Sequence, residues 1–491
     1  MTGKHEGPLD KADWKDVKLD TDVEASAHRA ANWRSKLHSP TFISRAVTPK
    51  KNLRRTAWLD GLRGFAAFLV YWHHHQLWAH DAISANSIFE NQFGYDGKYY
   101  FACLPGVRTF FTGGHYSVTV FFVISGYVLS TKPMSLIQNA EYTKLGDNIS
   151  SALFRRWLRL FLPVIATTFC FMTITHFFGI WTAAYEHEKR YLDEVWRWYS
   201  EFKNFSFIFK QGGDPWFTYN FHTWSIPVEF KGSIVIYTAL MAFSRCRRNA
   251  RLWCQVGLIF YFMYIADGWY CALFVSGMLL CDLDMLAAKD QLPNAFEKLE
   301  PYKDLIYYHL LIISIYLGGV PSQNMDMTIL RKSRGWYYLS LLKPQAVFDY
   351  KWFYLFWAAS FLIAAIPRIK WLKGFFETPF SQYLGRISFA LYLMHGPVLW
   401  TLGDRVYAAV GYSREPSLSH LAGYFNIFPL PAAGPLGLEV RFLLPHMILL
   451  PTTFWFAELV TRAFDTPSNN FVQWLYGKTL PPPPPTAISP P

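Results

Sequence analysis

From Trp58 to Phe464 the chain runs as apolar blocks separated by short polar breaks. A helix needs roughly 17–25 mostly apolar residues to cross a bilayer. On that measure the pattern predicts spans at Trp58–Trp78, Tyr116–Leu129, Leu158–Trp181, Ile226–Phe243, Leu252–Ala266, Trp269–Met285, Leu305–Val320, Trp352–Ile366, Phe380–Leu402 and Phe442–Val460. The expected fold class is all-α, a polytopic transmembrane helical bundle of about ten spans. The expected organisation is a flexible basic tail at 1–55, one membrane domain at 56–466 and a Pro-rich tail at 467–491.

Composition agrees with that pattern. Of 491 residues, 52% are hydrophobic, 19% aromatic and 17% charged, whereas soluble domains carry about a quarter charged residues. The 20 Trp, 29 Tyr and 43 Phe suit a protein with many side chains at bilayer interfaces. Every charged residue from Arg29 to Arg55 is basic, as the positive-inside rule expects of a cytosolic segment before a first span. Basic residues recur at Lys132, Arg155 and Arg156, in SRCRRNAR at 244–251, and at Arg368, Lys370 and Lys373. These are the cytosolic ends if both termini are cytosolic; Arg331, Lys332 and Arg334 fall on the opposite side. A nucleic-acid partner is not expected from basic residues in this setting. The first 50 residues show no apolar core of a secretory signal. Six cysteines without paired short spacing predict neither a disulfide framework nor a zinc site, and no metal is expected.

The first predicted span is the unusual one. WLDGLRGFAAFLVYWHHHQLW at 58–78 carries Asp60, Arg63 and three consecutive histidines, and ionisable groups at membrane depth normally face a cavity or pathway. Arg63 and His74 are eleven residues apart, which on a helix returns to within about 20° of one face, about 16 Å along the axis. His73 and His75 point about 100° to either side, so the three rings do not converge on one metal ion, and both are expected at an interface beside water. Gly61 and Gly64 flank the arginine and permit close helix packing.

LDGLRGFAAFLVYWHH resembles the first-helix signature of acyltransferase family 3, an arginine, ten residues and a histidine. Four further blocks follow in the family's order: FFVISGYVLS at 121–130, RRWLRLFLP at 155–163, HTWSIPVEF at 222–230 and ISFALYLMHGP at 387–397. The fourth block departs from the family after Glu229, with Phe230 and Lys231 where a second acid and Gln are usual. The chain is similar to the eukaryotic, fungal-like branch.

The resemblance implies transfer of an acyl group, commonly acetyl, from a coenzyme A thioester to a hydroxyl; acyl-CoA is a co-substrate and no cofactor stays bound. An alcohol attacking a thioester needs a base, and histidine is the side chain whose ordinary pKa suits that task. His74 is the expected general base. Arg63 is expected to hold the donor, because a guanidinium makes fixed, charge-assisted contacts with phosphate or carbonyl oxygens. Glu229, seven residues from His222, would orient a histidine, steady Arg63 or form a structural ion pair. Ser388 and His395 share a face by the same spacing and, with His222, Trp224 and Tyr392, are expected to bind substrate or bridge helices. Arg155, Arg156 and Arg159 form a secondary donor-phosphate candidate beside their topological role. Ser125 in VISGY lacks the flanks of a nucleophile elbow and reads as a small residue at a helix contact. Asn204 is a glycosylation candidate.

The expected product is an ester of a small hydroxylated acceptor, such as a terpenoid or polyketide. A cell-envelope glycan or lipid is the alternative acceptor, and a solute transporter lined by Arg63 and His74 the alternative class. No paired halves of the transporter kind are visible. The expected setting is a multi-pass protein of the lipid bilayer, in the endoplasmic reticulum or plasma membrane.

Overall fold

A computed structural model of the chain describes residues 53–80, 101–209, 216–322, 325–414, 417–435 and 437–481. The expected basic tail up to residue 52, and 482–491 of the Pro-rich tail, lie outside them. Every regular element among the described residues is helical. The helices of 13 residues or more are α1 (Ala57–Ala79), α2 (Gly114–Gln138), α3 (Tyr142–Phe177), α4 (Tyr191–Ser206), α5 (Ser225–Phe243), α6 (Arg248–Phe260), α7 (Trp269–Ala287), α8 (Lys303–Gly318), α9 (Tyr350–Ala365), α10 (Pro379–Val398), α11 (His446–Val460) and α12 (Thr466–Thr479).

Each of the ten predicted segments overlaps one of these helices. Five stretches among the described residues are long and apolar enough to cross a membrane: Gly114–Gln138, Tyr142–Phe177, Thr218–Phe243, Trp269–Ala287 and Val440–Thr479. A sixth arises if Tyr350–Arg368 and Lys370–Phe376, bent by 101°, form one broken span. α1 is long enough but is not in that set, because Asp60, Arg63, Gln76 and three histidines dilute its apolar character.

The chain divides into two compact units. The first comprises the described parts of 53–77, 101–141 and 238–388. Its core is α2 packed on α7, and two glycines explain how closely they meet. A Cβ on Gly126 would lie 2.0 Å from Phe274 O, and one on Gly277 would lie 2.1 Å from Val123 O. Backbone therefore touches backbone there, as small residues allow where helices associate without a hydrophobic driving force. Gly126, the neighbour of Ser125, is the point of this close approach. Gly61 and Gly64 do the same on α1: a Cβ would fall 1.9 Å from Phe376 O and 2.1 Å from Gly385 N. Local contacts tie the helices of this core together. Ser314 Oγ donates to Ala358 O at 2.7 Å, joining α8 to α9, and the Trp269 and Trp352 rings stack at 3.7 Å.

Three charges read from sequence as topological anchors or donor sites are engaged in ion pairs. In this unit Arg251 grips Asp282, and Arg368 pairs with Asp284, which also accepts from Tyr127 OH at 2.9 Å. Arg156 in the second unit pairs with Glu229.

The second unit comprises the described parts of 78–81, 142–237 and 389–491. α3 is its longest helix, at 36 residues, and α4 packs against it through Trp198 Nε1, which donates to Thr168 Oγ1 at 3.1 Å. α12 lies along α3, with Tyr476 against Phe154 at 5.3 Å and beneath the Arg155 guanidinium. Within the expected Pro-rich tail from 467 the chain is helical to Thr479: α12 follows α11 through the helical residues Thr461–Asp465, with Pro467 in its first turn.

Candidate active site

The residues singled out on α1 differ sharply in their surroundings. Arg63 is held by the first unit from two sides. Its Nη2 donates to Asp60 Oδ1 at 3.1 Å and to Gly385 O at 3.4 Å, while Nε donates to Ser388 Oγ at 3.2 Å. The side chain nevertheless stays 41% exposed. Gly64 and Gly385 create this geometry, since a side chain at either would separate α1 from the start of α10. Ser388 Oγ in turn donates to Gly385 O at 2.9 Å. The Ser388 hydroxyl thus serves Arg63 and the α10 backbone.

His74 is half-buried, and its Nδ1 lies 3.0 Å from Val70 O. A carbonyl can only accept, so Nδ1 carries the proton and Nε2 carries the lone pair. The neighbouring histidines are buried, 3% and 0% exposed, and not at a wet interface as expected. His73 fits against Gly114, where a Cβ would come within 2.4 Å of its ring. His75 packs on Tyr71 at 4.1 Å. Aromatic packing thus draws these two rings into the core.

The second unit gathers the HTWS and LYLMH blocks. His222 and His395 are buried and stack in parallel, centroids 4.8 Å apart and planes 5° from coplanar. Gly396 makes room: a Cβ there would lie 2.9 Å from His222 Nδ1. Tyr392 ties the blocks together, its hydroxyl donating to His222 O and accepting from Ser225 Oγ at 2.7 Å. Asn220 Nδ2 donates to Leu393 O at 2.9 Å, holding the kinked turn Thr218–Trp224 in place. His395 Nδ1 faces Leu391 O at 3.3 Å and donates to it, so its lone pair is on Nε2. Trp224 is half-buried at the end of that turn.

Glu229 pairs with Arg156, whose Nε also donates to Ser233 Oγ at 2.8 Å. Both partners are about one-eighth exposed. Arg155 donates to Ser151 O at 3.1 Å beside Tyr476, and Arg159 is exposed. Asn204 is exposed on α4.

One polar cluster escaped the reading of motifs. Trp78, Asp404, Tyr407, Tyr412, Arg414 and Ser417 line a small cleft in the second unit. Trp78 Nε1 donates to Asp404 Oδ1 at 2.6 Å, and Ser417 Oγ donates to the same oxygen at 3.2 Å. Asp404 lies beyond the last residue of the ninth predicted span. Burial pushes its carboxyl up to about 6, against the opposing pull of these donors and of Arg414. A lone aspartate after a span carries no motif, so sequence offered no signal.

Residues 56–439 match the family model of acyltransferase family 3, described as an acyltransferase domain. The chain is 32% identical over 486 residues to O-acetyltransferase PaAT-1 of Phomopsis amygdali, covering 90% of this chain and 88% of that protein. It is 22% identical over 475 residues to Acyltransferase clz18 of Cochliobolus lunatus, covering 86% and 96% respectively. No solved structure matches the chain.

Proposed function

The chain belongs to acyltransferase family 3, and on that footing we propose that this membrane acyltransferase moves an acetyl group from acetyl-CoA to a hydroxyl of a small molecule. The observation that carries the reading is the contact of His74 Nδ1 with Val70 O at 3.0 Å. With Nδ1–H donated to Val70 O, Nε2 is the basic nitrogen, and an alcohol attacking a thioester carbonyl needs such a base. As the alcohol oxygen bonds to the carbonyl carbon, its proton passes to Nε2. Collapse of the tetrahedral intermediate expels the coenzyme A thiolate, which is reprotonated.

Arg63 is assigned to the donor. Its guanidinium is held in orientation by Asp60, Gly385 O and Ser388 yet remains 41% exposed, which suits an anionic ligand arriving from water. We assign acceptor recognition to the second unit's His222, Trp224, Tyr392 and His395. The acceptor is a small hydroxylated metabolite of the terpenoid or polyketide kind, the reading that the fungal-like resemblance and the printed name of the O-acetyltransferase relative support. The topology proposed is ten spans with both termini cytosolic, supported by the basic breaks and by the helices found at all ten segments.

The test is incubation of the purified full-length protein with labelled acetyl-CoA and candidate alcohols. Ester formation is expected, and His74→Ala should lower it by about 10²–10⁴, the usual contribution of general base catalysis. Solute flux without ester formation would favour transport, and wild-type turnover in His74→Ala would remove the role of that residue.

A further inference from the structure

The second unit holds a group of side chains that the acyl-transfer reading leaves unused. We propose that His176, His187 and Glu194 form a binding site for a divalent transition metal of the zinc class, pinning the 178–190 connection to the ends of α3 and α4. Their ligand atoms all lie within 4.8 Å of one another.

The local fold builds this site in steps. α3 ends on Gly179, at φ +58°, with Ile180 N–H donating back to Thr175 O at 2.9 Å. This left-handed glycine stop leaves His176 in the last turn and turns the chain so that His187 returns beside it, ring centroids 5.8 Å apart. Glu194 lies in the first turn of α4 and is fully buried.

Three details favour a metal over a simple ion pair. First, His176 Nδ1 and His187 Nδ1 approach the same carboxylate oxygen, Glu194 Oε2, at 3.3 and 3.6 Å. Zinc arms of about 2.0–2.2 Å in a tetrahedron set neighbouring ligand atoms roughly 3.3–3.6 Å apart, so these two oxygen–nitrogen edges already have the required length. Second, His187 Nε2 donates to Ile180 O at 3.1 Å. That commitment puts the lone pair on Nδ1, the arrangement by which backbone carbonyls orient metal-bound histidines. His187 Nδ1 is buried and has no hydrogen-bond partner among the described residues, and facing a carboxylate oxygen it needs a metal ion or a proton of its own between them. Third, Glu194 is itself oriented: Tyr219 OH donates to Oε1 at 2.6 Å and Glu188 N–H to Oε2 at 2.7 Å.

Two imidazoles and one carboxylate leave one tetrahedral position for water. The set is spread over a helix end, a loop and a helix start, eleven and then seven residues apart, so no compact motif announces it.

The experiment uses the full-length protein in detergent micelles, without a polyhistidine tag and stripped by chelator. Cobalt(II) is titrated as a spectroscopic probe and zinc as competitor. One equivalent of cobalt should bind with the visible absorption of a four-coordinate site and be displaced by zinc. Zinc should also raise the thermal midpoint of the stripped wild type, as a ligand of the native state must. His187→Asn, at a partly exposed position, should weaken cobalt binding at least about 10–100-fold and abolish the thermal shift. Glu194→Gln should do the same; if it fails to fold, His187→Asn alone decides. Absence of stoichiometric cobalt in the wild type, or equal affinity in His187→Asn, overturns the site and leaves a histidine–carboxylate ion pair.

Discussion

Arg63 and Arg251 belong to the same unit and each meets an aspartate, yet they are built for opposite purposes. Arg251 is 5% exposed, and both its Nε and Nη2 grip Asp282, at 2.7 and 2.8 Å. Gln255 and Gln138 each add a donor to that carboxylate at 3.0 Å. Asp282 therefore accepts four hydrogen bonds. Arg63 spends one nitrogen on Asp60 and stays open to water. A closed pair fixes α2, α6 and α7; an open one presents a charge. The difference teaches that charges near a span are not alike: exposure and unspent donors set Arg63 apart from the closed brace at Arg251.

The largest effect follows from opening the closed pair. Arg251→Ala leaves Asp282 buried with two amide donors, and removing one partner of a buried pair costs about 3–5 kcal/mol. Thermal unfolding in detergent should show a correspondingly large loss. A melting midpoint near wild type would make Arg251 the topological anchor that its basic neighbourhood suggests.

Asp404 sharpens the contrast, being a buried acid without a bidentate arginine. Its Oδ2 has no hydrogen-bond partner among the described residues, and its carboxyl is pushed up to about 6 from an ordinary 3.8. The folded state thus binds this proton more tightly than the unfolded chain. Stability from this group rises as pH falls through about 6 towards 4, and ionisation above 6 costs at most about 3 kcal/mol by linkage. Asp404→Asn should be relatively more stable at pH 8 and should flatten the change in midpoint between pH 8 and pH 5. Identical pH profiles for the two proteins would show that solvent reaches the carboxylate.

How much of this was legible beforehand follows the same division. Apolar runs mark ten of the twelve helices of 13 residues or more among the described residues, because burying apolar surface is a local property of sequence, and give no sign of α4 or α12. That Arg63 and His74 share one helix is legible from the sequence, because the helical pattern covers both. The roles of charges elsewhere were not: Arg251 and Asp282 are 31 residues apart in sequence, and only packing reveals that they meet. The close approach at Gly126 is likewise invisible in the apolar pattern, because periodicity does not say which of two small neighbours lies nearest a partner helix. His73 and His75 were placed beside water because polarity was weighed without the aromatic rings that enclose them. The helical stretch after Pro467 was hidden by the prolines that follow it.

Smaller effects test the open arginine itself. Arg63→Ala should leave the melting midpoint nearly unchanged, since a partly exposed pair contributes up to about 1 kcal/mol. Its KM for acetyl-CoA should rise about 10–100-fold, the worth of one or two hydrogen bonds to a charged group. A change confined to kcat would move Arg63 from donor binding to the chemical step.

Ser388→Ala should do least, and it separates two readings of one hydroxyl. From spacing, Ser388 was a candidate for the acceptor pocket beside His395. In the structure its Oγ accepts from Arg63 Nε at 3.2 Å and donates to Gly385 O. Removing it leaves Arg63 with Asp60 and Gly385 O, so the guanidinium loses one of three restraints, about 0.5–1.5 kcal/mol. That corresponds to a rise of roughly two- to tenfold in the KM for acetyl-CoA, with the acceptor KM unmoved. Should the acceptor KM rise instead, the hydroxyl serves the acceptor directly, and the contact with Arg63 only holds α10 against α1.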